Sequence, residues 1–403
     1  MTTSASAVPS ARSAPDIAIG RLATAVVSMS WDQLPPELQA HALDLLVDAV
    51  AVISGGSVEP SIVALRSQVA PVAGPATVIG AGIGTPTRDA VLLNAATITV
   101  LQRQDGYSDA IGHPASQLLA TLLPLAEQTG ASARDLLEAF VGGYEAAARI
   151  GVALGGVPPH LHDVQGAAAG LTAVPGTVER FYGRYSAVGF DAAALAEGVD
   201  MHGRSHHRIG GGYVKLHPSC AHLHGVNDAV DQLIAEEGLR EADVDRVELA
   251  VFDAAMRIES RDPHNTLAAR LSARATVAAA LRRGRLDDAG LADPAALAPL
   301  MRRIEVCHDP DLDSHAPAGR PGRVTVTRTD GTVVSRTVIH PRGTQQVPAT
   351  EAERAHKARN LLARPYGDDR AAEIVAAVRA LPAAQSLHDL TASLRSRPAD
   401  GGS

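Results

Sequence analysis

Apolar residues recur at helical spacing through most of the first half of the chain, and this periodicity is the strongest constraint on its fold. One such segment opens with Pro35-Pro36, runs to about Ile53 and ends at a Gly-Gly pair, as a helix would. The same spacing predicts helices over residues 60–69, 87–100, 114–128 and 132–154. Ser132 and Asp135 have the spacing of a capping box at the start of the last of these.

The second half changes to strand-like alternation. Residues 243–252 alternate apolar and polar side chains, and two further alternating runs flank Asp330-Gly331, a dipeptide typical of hairpin turns. Helical patterns lie between these runs and return after residue 350. We therefore expect a mainly α fold with a smaller α/β lid domain. The predicted boundaries are 16–212 and 345–396 for the helical domain, 213–344 for the lid, and disorder in 1–15 and 397–403.

Composition narrows the class of protein. Hydrophobic residues make up 46% of the 403 residues, which is enough for a large buried core. A net charge of −8 and only 3% aromatic residues disfavour nucleic acid as a partner. Two cysteines fit a reducing cytoplasm, and no uninterrupted apolar run reaches the roughly 18 residues of a membrane span. We expect a cytoplasmic protein without a membrane or nucleic-acid partner.

The loop between the third and fourth long helical patterns carries the best candidates for chemistry. Residues 102–116 contain Asp105, Tyr107, Asp109 and His113. Because Pro114 follows His113 and opens a helix, the imidazole is expected near the positive end of a helix dipole, which favours a neutral general base. A nearby carboxylate could orient it. The alternative is an ordinary solvated turn.

A second candidate stretch is rich in histidine and holds one of only two lysines. The chain has 36 basic residues, of which Lys215 and Lys357 are the lysines and the other 34 are arginines. A compact ammonium that can lose its proton has uses that a guanidinium lacks, so Lys215 is a candidate, although chance is the alternative. The pattern H-x2-C-x-H-x-H over residues 217–224 matches no familiar zinc spacing, so we expect no metal.

Two other features are weaker. Residues 76–84 resemble the strand and glycine turn of a dinucleotide fold, but no second parallel strand follows, so a plain strand-turn-helix is favoured. Residues 204–208 contain His206, His207 and Arg208, which form either a carboxylate-binding group or an exposed basic turn. The chain lacks the nucleophile elbow, the phosphate-binding loop and the zincin motif.

Taken together, these residues resemble the MmgE/PrpD family, which includes 2-methylcitrate dehydratase, cis-aconitate decarboxylase and iminodisuccinate epimerase. The resemblance spans roughly residues 18–365 and rests on the order and spacing of several short motifs. These are Leu43-Asp-Leu-Leu-Val-Asp48, Asp89-Ala-Val-Leu-Leu-Asn94, Asp105-Gly-Tyr107, Gly112-His113-Pro114, Asp135-Leu-Leu137, Gly143-Tyr144-Glu145, Lys215-Leu-His-Pro-Ser-Cys220, Leu271-Ser272, Asp330-Gly331 and Pro341-Arg-Gly343.

The resemblance implies a helical domain, an α/β lid, an active site between them, a homodimer, and no required metal or organic cofactor. It also implies that His113 is the catalytic histidine and Lys215 an active-site lysine, with Asp105 and Tyr107 in the acidic loop. Gln102 stands where the family has a loop aspartate, and a second active-site lysine has no counterpart. The resemblance also implies a shortened active-site stretch, of which either Leu161-His162 or Pro159-His160 is the remnant. We expect His162 to bind substrate together with His206, His207 and Arg208.

These residues support proton abstraction next to a carboxylate or carbonyl group. We expect a cofactor-independent lyase, a dehydratase of a 2-methylcitrate-like hydroxy-carboxylic acid, in which His113 moves the proton and Lys215 holds a carboxylate or the enolate. Asp105 or Tyr107 would orient His113 or protonate the leaving hydroxyl. The alternatives are an isomerase or epimerase, a decarboxylase, or a non-catalytic carboxylate-binding protein.

Overall fold

The computed structural model of the protein describes residues 14–69, 72–154, 191–199, 207–316 and 318–396. Helices dominate these residues, and a smaller part combines helices with a four-stranded sheet. The predicted fold class, mainly α with an α+β part, is confirmed.

Sixteen α-helices lie within the described residues. In chain order they are α1 (Ala14–Val27), α2 (Pro36–Gly56), α3 (Pro60–Val69), α4 (Thr87–Ile98), α5 (Pro114–Thr129), α6 (Ala133–Ala153), α7 (Ala192–Ala196), α8 (His224–Glu237), α9 (Asp253–Ile258), α10 (Thr266–Arg270), α11 (Ala273–Arg283), α12 (Pro294–Met301), α13 (Pro310–Asp313), α14 (Glu351–Tyr366), α15 (Asp368–Ala380) and α16 (His388–Arg395).

Eight strands accompany them in the same ranges. They are β1 (Ala76–Val78), β2 (Ile83–Thr85), β3 (Gly106–Tyr107), β4 (Gly212–Tyr213), β5 (Val244–Val251), β6 (Ile304–His308), β7 (Gly322–Arg328) and β8 (Val333–Val338).

The helical part is built around α2. This helix is apolar on nearly every side, so it lies at the centre of the core, packed between α5 and α14. By length and composition it could cross a membrane, but 78% of its most apolar window is buried inside the protein, as in a central core helix.

The starts of two helices can be compared with the predictions. The predicted capping box is confirmed: Ser132 Oγ accepts a hydrogen bond from Asp135 N at 3.1 Å, and Asp135 Oδ2 accepts one from Ser132 N at 2.9 Å. Helix α1 begins at Ala14, slightly inside the segment predicted to be disordered. Pro15 is compatible with this start, because N–H groups of the first turn have no helical partner to lose.

The α+β part contains the four-stranded sheet, in the order β6-β5-β7-β8. The predicted hairpin is confirmed: β7 and β8 pair antiparallel, and Gly331 adopts the left-handed conformation that its turn requires. Helix α8 packs on β7 and β8, with α11 against it. Strand β6 was not predicted, and it pairs in parallel with β5 after the connection that holds α9 to α12.

The segment that resembled a dinucleotide fold is an antiparallel hairpin. Strand β1 pairs with β2 in opposite direction, with Ala76 facing Thr85. Gly80 and Gly82 in the turn both have positive φ. A phosphate-cradling turn needs parallel strands separated by a helix, so this segment does not have that architecture.

Two hydrophobic cores correspond to the two parts of the chain. The larger core gathers residues between 31 and 214 together with residues between 358 and 394, and the second lies wholly between residues 223 and 338. After the sheet the chain returns to the helical part, where α14 packs along α2. The domain boundaries at 213 and 344 stay predictions.

Candidate active site

The candidate site lies where the two parts of the protein meet. Strands β3 and β4 pair there, with Gly106 facing Tyr213 and Tyr107 facing Gly212. A Cβ at Gly106 would lie 2.2 Å from Tyr213 Cζ, so this approach requires glycine. The pairing brings the loop that precedes His113 next to the segment that leads to Lys215.

Asp105 closes the N-terminus of α5. Its Oδ2 accepts a hydrogen bond from Ala115 N, and its Oδ1 accepts bonds from Ser116 N and Ser116 Oγ, all between 2.8 and 2.9 Å. The side chain is completely buried. Burial raises the pKa of Asp105 to about 6, against the opposing effect of these hydrogen bonds. The carboxylate is thus engaged with the helix end and faces no open space.

His113 is held by the backbone of Asp105. It precedes the first residue of α5, as predicted, and its Nδ1 lies 2.6 Å from the carbonyl oxygen of Asp105. A carbonyl can only accept, so Nδ1 carries the proton and Nε2 has the lone pair in the neutral ring. The orienting group is therefore the backbone carbonyl of Asp105 and not the carboxylate that was predicted from the sequence.

Lys215 is buried beside the same loop. Its side chain is 1% exposed, and no hydrogen bond joins its ammonium to the described residues. Burial, together with the charge of Lys357, lowers the pKa of Lys215 to about 8, against the opposing effects of Cys220, Asp105 and Asp48. A buried ammonium that titrates near neutral pH can bind an anion or exchange a proton, which fits the role expected for it.

Lys357 is the residue that sequence reasoning missed. It extends from α14 to Asp48 of α2, with Nζ 2.6 Å from Asp48 Oδ1, and it donates a second hydrogen bond to the carbonyl of Arg103 at 2.8 Å. The side chains of Lys357 and Asp48 are buried, and Lys357 is close enough to Lys215 to lower its pKa. Both lysines of the chain therefore lie in one buried cluster.

Arg103, Asp288 and Arg270 form what we call the interdomain clamp. Asp288 accepts from Arg103 Nη1 at 2.9 Å and from Arg270 Nη1 at 2.7 Å. Arg103 Nη2 also donates to the carbonyl of Leu216 at 2.7 Å, directly after Lys215, and Arg270 donates to the carbonyl of Leu101 at 3.1 Å. The clamp thus connects the start of the loop that leads to His113 with the segment that contains Lys215.

A cavity of about 830 Å³ adjoins this cluster. Tyr107, His207 and Arg208 line it, so the structure brings these three predicted residues together. Tyr213 and Val214 also line it, but His113, Asp105 and Lys215 are not among its lining residues. Two further predicted residues, His162 and His206, lie outside the described residues.

Tyr107 and Arg208 interact within the cavity wall. Arg208 hydrogen-bonds the Tyr107 side chain, donates from its backbone N to Glu145 Oε2 at 2.7 Å, and pairs with Glu197 Oε2 at 2.8 Å. Burial, followed by the charge of Asp109, raises the pKa of Tyr107 above its ordinary value. The phenol is therefore protonated at neutral pH and can donate a proton.

The histidine-rich stretch does not converge on one point. His217 Nε2 lies 2.7 Å from Asp228 Oδ1, whereas His222 packs its ring edge-on against Phe252. The ligand atoms of His217, Asp228 and Asp231 lie within 4.8 Å of one another, but Arg342 already pairs with both carboxylates, at 3.0 and 3.2 Å. The arrangement is that of an ion-pair network around a guanidinium.

The loop that holds His113 is strained at both ends. Gln102 has a φ of 52° and Ile111 a φ of 49°, which are unfavourable for side chains of this kind. Gln102 stands at the position where the resemblance places an aspartate. Backbone strain of this sort is found where the surroundings fix a functional loop in place.

Comparison with known protein families agrees with this architecture. The MmgE/PrpD N-terminal domain model matches residues 20–200, and the MmgE/PrpD C-terminal domain model matches residues 217–382. Among curated proteins, nothing matches the chain significantly. The family is generally one of dehydratases and related carboxylate-processing enzymes. With both domain models matched in order over most of its length, the chain belongs to the MmgE/PrpD family.

Proposed function

We propose that the protein is a lyase that removes water from a hydroxy-carboxylic acid, with His113 as the general base. The observation that carries this proposal is the hydrogen bond from His113 Nδ1 to the carbonyl of Asp105, which leaves Nε2 as the basic nitrogen at the start of α5. The helix dipole at this end disfavours the imidazolium and keeps the ring ready to accept a proton.

In the proposed reaction, His113 Nε2 takes the proton from the carbon next to a carboxylate. Lys215 supplies the positive charge that stabilises the resulting enolate, and its burial strengthens that effect. The double bond forms as the carbon–oxygen bond breaks, and the hydroxyl leaves as water with a proton from Tyr107. The proton on His113 then returns to Tyr107 and resets the site.

Tyr107 is a better proton donor than Asp105 in this scheme. The Asp105 carboxylate is fully buried and engaged by three donors, whereas Tyr107 lines the cavity. Asp105 then acts as a positioning residue, since its carbonyl holds His113 and its side chain fixes the start of α5.

We propose the substrate class from the lining of the cavity that adjoins the buried lysine cluster. Arg208 and Arg354 line this cavity, and guanidinium groups bind carboxylates; His41 and His207 line it as well and can supply hydrogen bonds. We therefore propose a small di- or tricarboxylate with a hydroxyl group. The homodimer and catalysis without a cofactor or metal are further parts of the proposal that rest on the resemblance, and the cytoplasmic location is a part that rests on the sequence composition.

The test is a proton NMR screen of hydroxy-di- and tricarboxylates in deuterated water. We expect water loss and α-deuteration with the wild-type protein, and loss of both in His113→Asn. The asparagine amide can still donate to the Asp105 carbonyl, so this variant removes the base while keeping the hydrogen bond. His308→Asn, far along the chain in an exposed pair with Asp313, is the control. Full exchange in His113→Asn would refute the role of His113.

The same screen separates the alternative activities. Deuteration without an alkene product would indicate an isomerase or epimerase, and release of carbon dioxide would indicate a decarboxylase. Thermal stabilisation by a carboxylate without any turnover would indicate a binding protein. Lys215→Arg should lose turnover while staying folded if the compact ammonium is needed, and unchanged kinetics would assign no such role to Lys215.

A further inference from the structure

The α+β part holds a second cavity, of about 790 Å³, which we call the arginine cleft. It lies among the starts of β5 and β6, helix α12 and the loop before α10, and none of its lining residues lines the cavity that contains Tyr107. Five arginines line the cleft, namely Arg246, Arg261, Arg274, Arg302 and Arg303.

Three of these arginines have no hydrogen-bond or ion-pair partner in the part of the chain that the structure describes, which is unusual among the arginines described. Most described arginines pair with a carboxylate or donate a hydrogen bond. The described arginines that do neither are Arg21, Arg88, Arg246, Arg261, Arg302 and Arg359. Half of that small group, Arg246, Arg261 and Arg302, lies on the arginine cleft, and all three side chains are exposed, so their guanidinium groups can reach a ligand there.

The other two arginines are fixed parts of the wall. Arg274 is 8% exposed; it donates from Nε to the carbonyl of Ile304 at 3.0 Å and pairs with Glu259 at 2.9 Å. Arg303 donates to the carbonyl of Val244 and lies 3.8 Å from Glu241. Their hydrogen bonds hold the walls in place, so the three unpaired guanidinium groups extend from a rigid frame.

No carboxylate of the described residues forms an ion pair with Arg246, Arg261 or Arg302. Asp293 caps α12 by accepting a hydrogen bond from Ala296 N at 3.3 Å. Asp262 and Glu305 also line the cleft, but neither lies within 4.0 Å of a basic nitrogen in the described residues. Five arginines against three carboxylates give the lining an excess of positive charge, which favours an anion as the occupant.

We infer that the arginine cleft is a binding site for a small multivalent anion that carries carboxylate or phosphate groups. Guanidinium groups bind both through paired, charge-assisted hydrogen bonds. Ala298 and Met301 add an apolar side to the cleft, which suits an anion with a short carbon skeleton. The inference is independent of the proposed dehydratase activity, because it concerns a separate cavity.

Calorimetric titration of the full-length protein at low ionic strength, with citrate and pyrophosphate as separate probes, tests this inference. We expect saturable binding to the wild type and at least tenfold weaker binding to Arg261→Gln/Arg302→Gln. The matched control, Arg21→Gln/Arg88→Gln, removes two unpaired, exposed arginines elsewhere and should bind as the wild type does. Tighter binding of citrate or of pyrophosphate identifies the carboxylate or the phosphate source.

A local reporter distinguishes this cleft from the proposed active site. The chain has five methionines, and Met301 lines the cleft, so its ¹³C-methyl resonance should shift on binding, in the wild type and equally in His113→Asn. The inference is overturned if no binding occurs, if both double variants weaken binding equally, or if the Met301 resonance does not move at saturation.

Discussion

Lys357 Nζ lies 2.6 Å from Asp48 Oδ1 in the interior of the helical part, with both side chains at most 5% exposed. Burial raises the pKa of Asp48 and lowers that of Lys357, so each charge is maintained by its partner against desolvation. Removing one partner leaves an uncompensated buried charge.

We therefore expect Lys357→Met to lower the free energy of unfolding by about 3–5 kcal/mol. Asp48→Asn/Lys357→Met should cost less than the sum of the two single changes, because no lone charge remains. Urea unfolding of the wild type, both single variants and the double variant completes the cycle. Additive effects would contradict the coupling.

The pKa of Lys215 is open to direct measurement because the chain has only two lysines. With ¹³Cε-labelled lysine, NMR should show one resonance titrating near pH 8, assigned to Lys215 by its absence from Lys215→Arg. The folded pKa lies below the unfolded value, so this group destabilises the fold by about 3 kcal/mol below pH 8. That penalty disappears as the pH rises from 8 to about 10.5. A midpoint above 10 would contradict the buried placement.

Asp105 should make the free energy of unfolding depend on pH in the direction opposite to that expected for Lys215. Its folded pKa of about 6 lies above the unfolded value, so the native state holds its proton more tightly. Below about pH 4 this carboxyl contributes about 3 kcal/mol to the free energy of unfolding, and that contribution is lost as the pH rises through 6. Asp105→Asn removes this dependence and also costs about 1–3 kcal/mol at neutral pH by losing an acceptor for the α5 N–H groups. Urea unfolding between pH 4 and 7 measures both effects, and equal slopes for the two proteins would contradict the assignment.

Because of the interdomain clamp, we expect substitution of Asp288 to lower the free energy of unfolding far more than substitution of the adjacent Asp287. Burial tends to raise the pKa of Asp288, but Arg103 and Arg270 outweigh it and hold the pKa below its ordinary value. Asp288→Asn leaves the buried Arg270 without its counter-charge, so we expect a loss of about 3–5 kcal/mol. Asp287→Asn, at a pair with the exposed Arg283, should cost much less than this. Similar losses in denaturant unfolding would show that the clamp is no stronger than a surface pair.

Much of the fold could be predicted because it depends on local patterns. The capping box of Ser132 and the Asp330-Gly331 hairpin each need only a few neighbouring residues, and both are confirmed. Strand β6 (Ile304–His308) was missed because its five residues follow directly on a helical pattern. Its only sheet partner is β5, more than fifty residues earlier in the chain.

Only those parts of the candidate site that lie within one short sequence motif could be predicted. The position of His113 at the start of α5 follows from the proline after it. Nothing local indicated that Lys357 joins the cluster, because its partner Asp48 is some three hundred residues away. Likewise, sequence spacing could not show that Asp105 orients His113 with its backbone while its carboxylate caps the helix.

The packing of α14 against α2 has a consequence for the order in which contacts form during folding. Lys357 contacts the carbonyl of Arg103, 254 residues earlier in the chain, and Asp48, which is farther still. Contacts so distant in sequence form slowly, because the long intervening loop must close first. We therefore expect the buried lysine cluster, and with it the candidate site, to form late, after the local helices and hairpins.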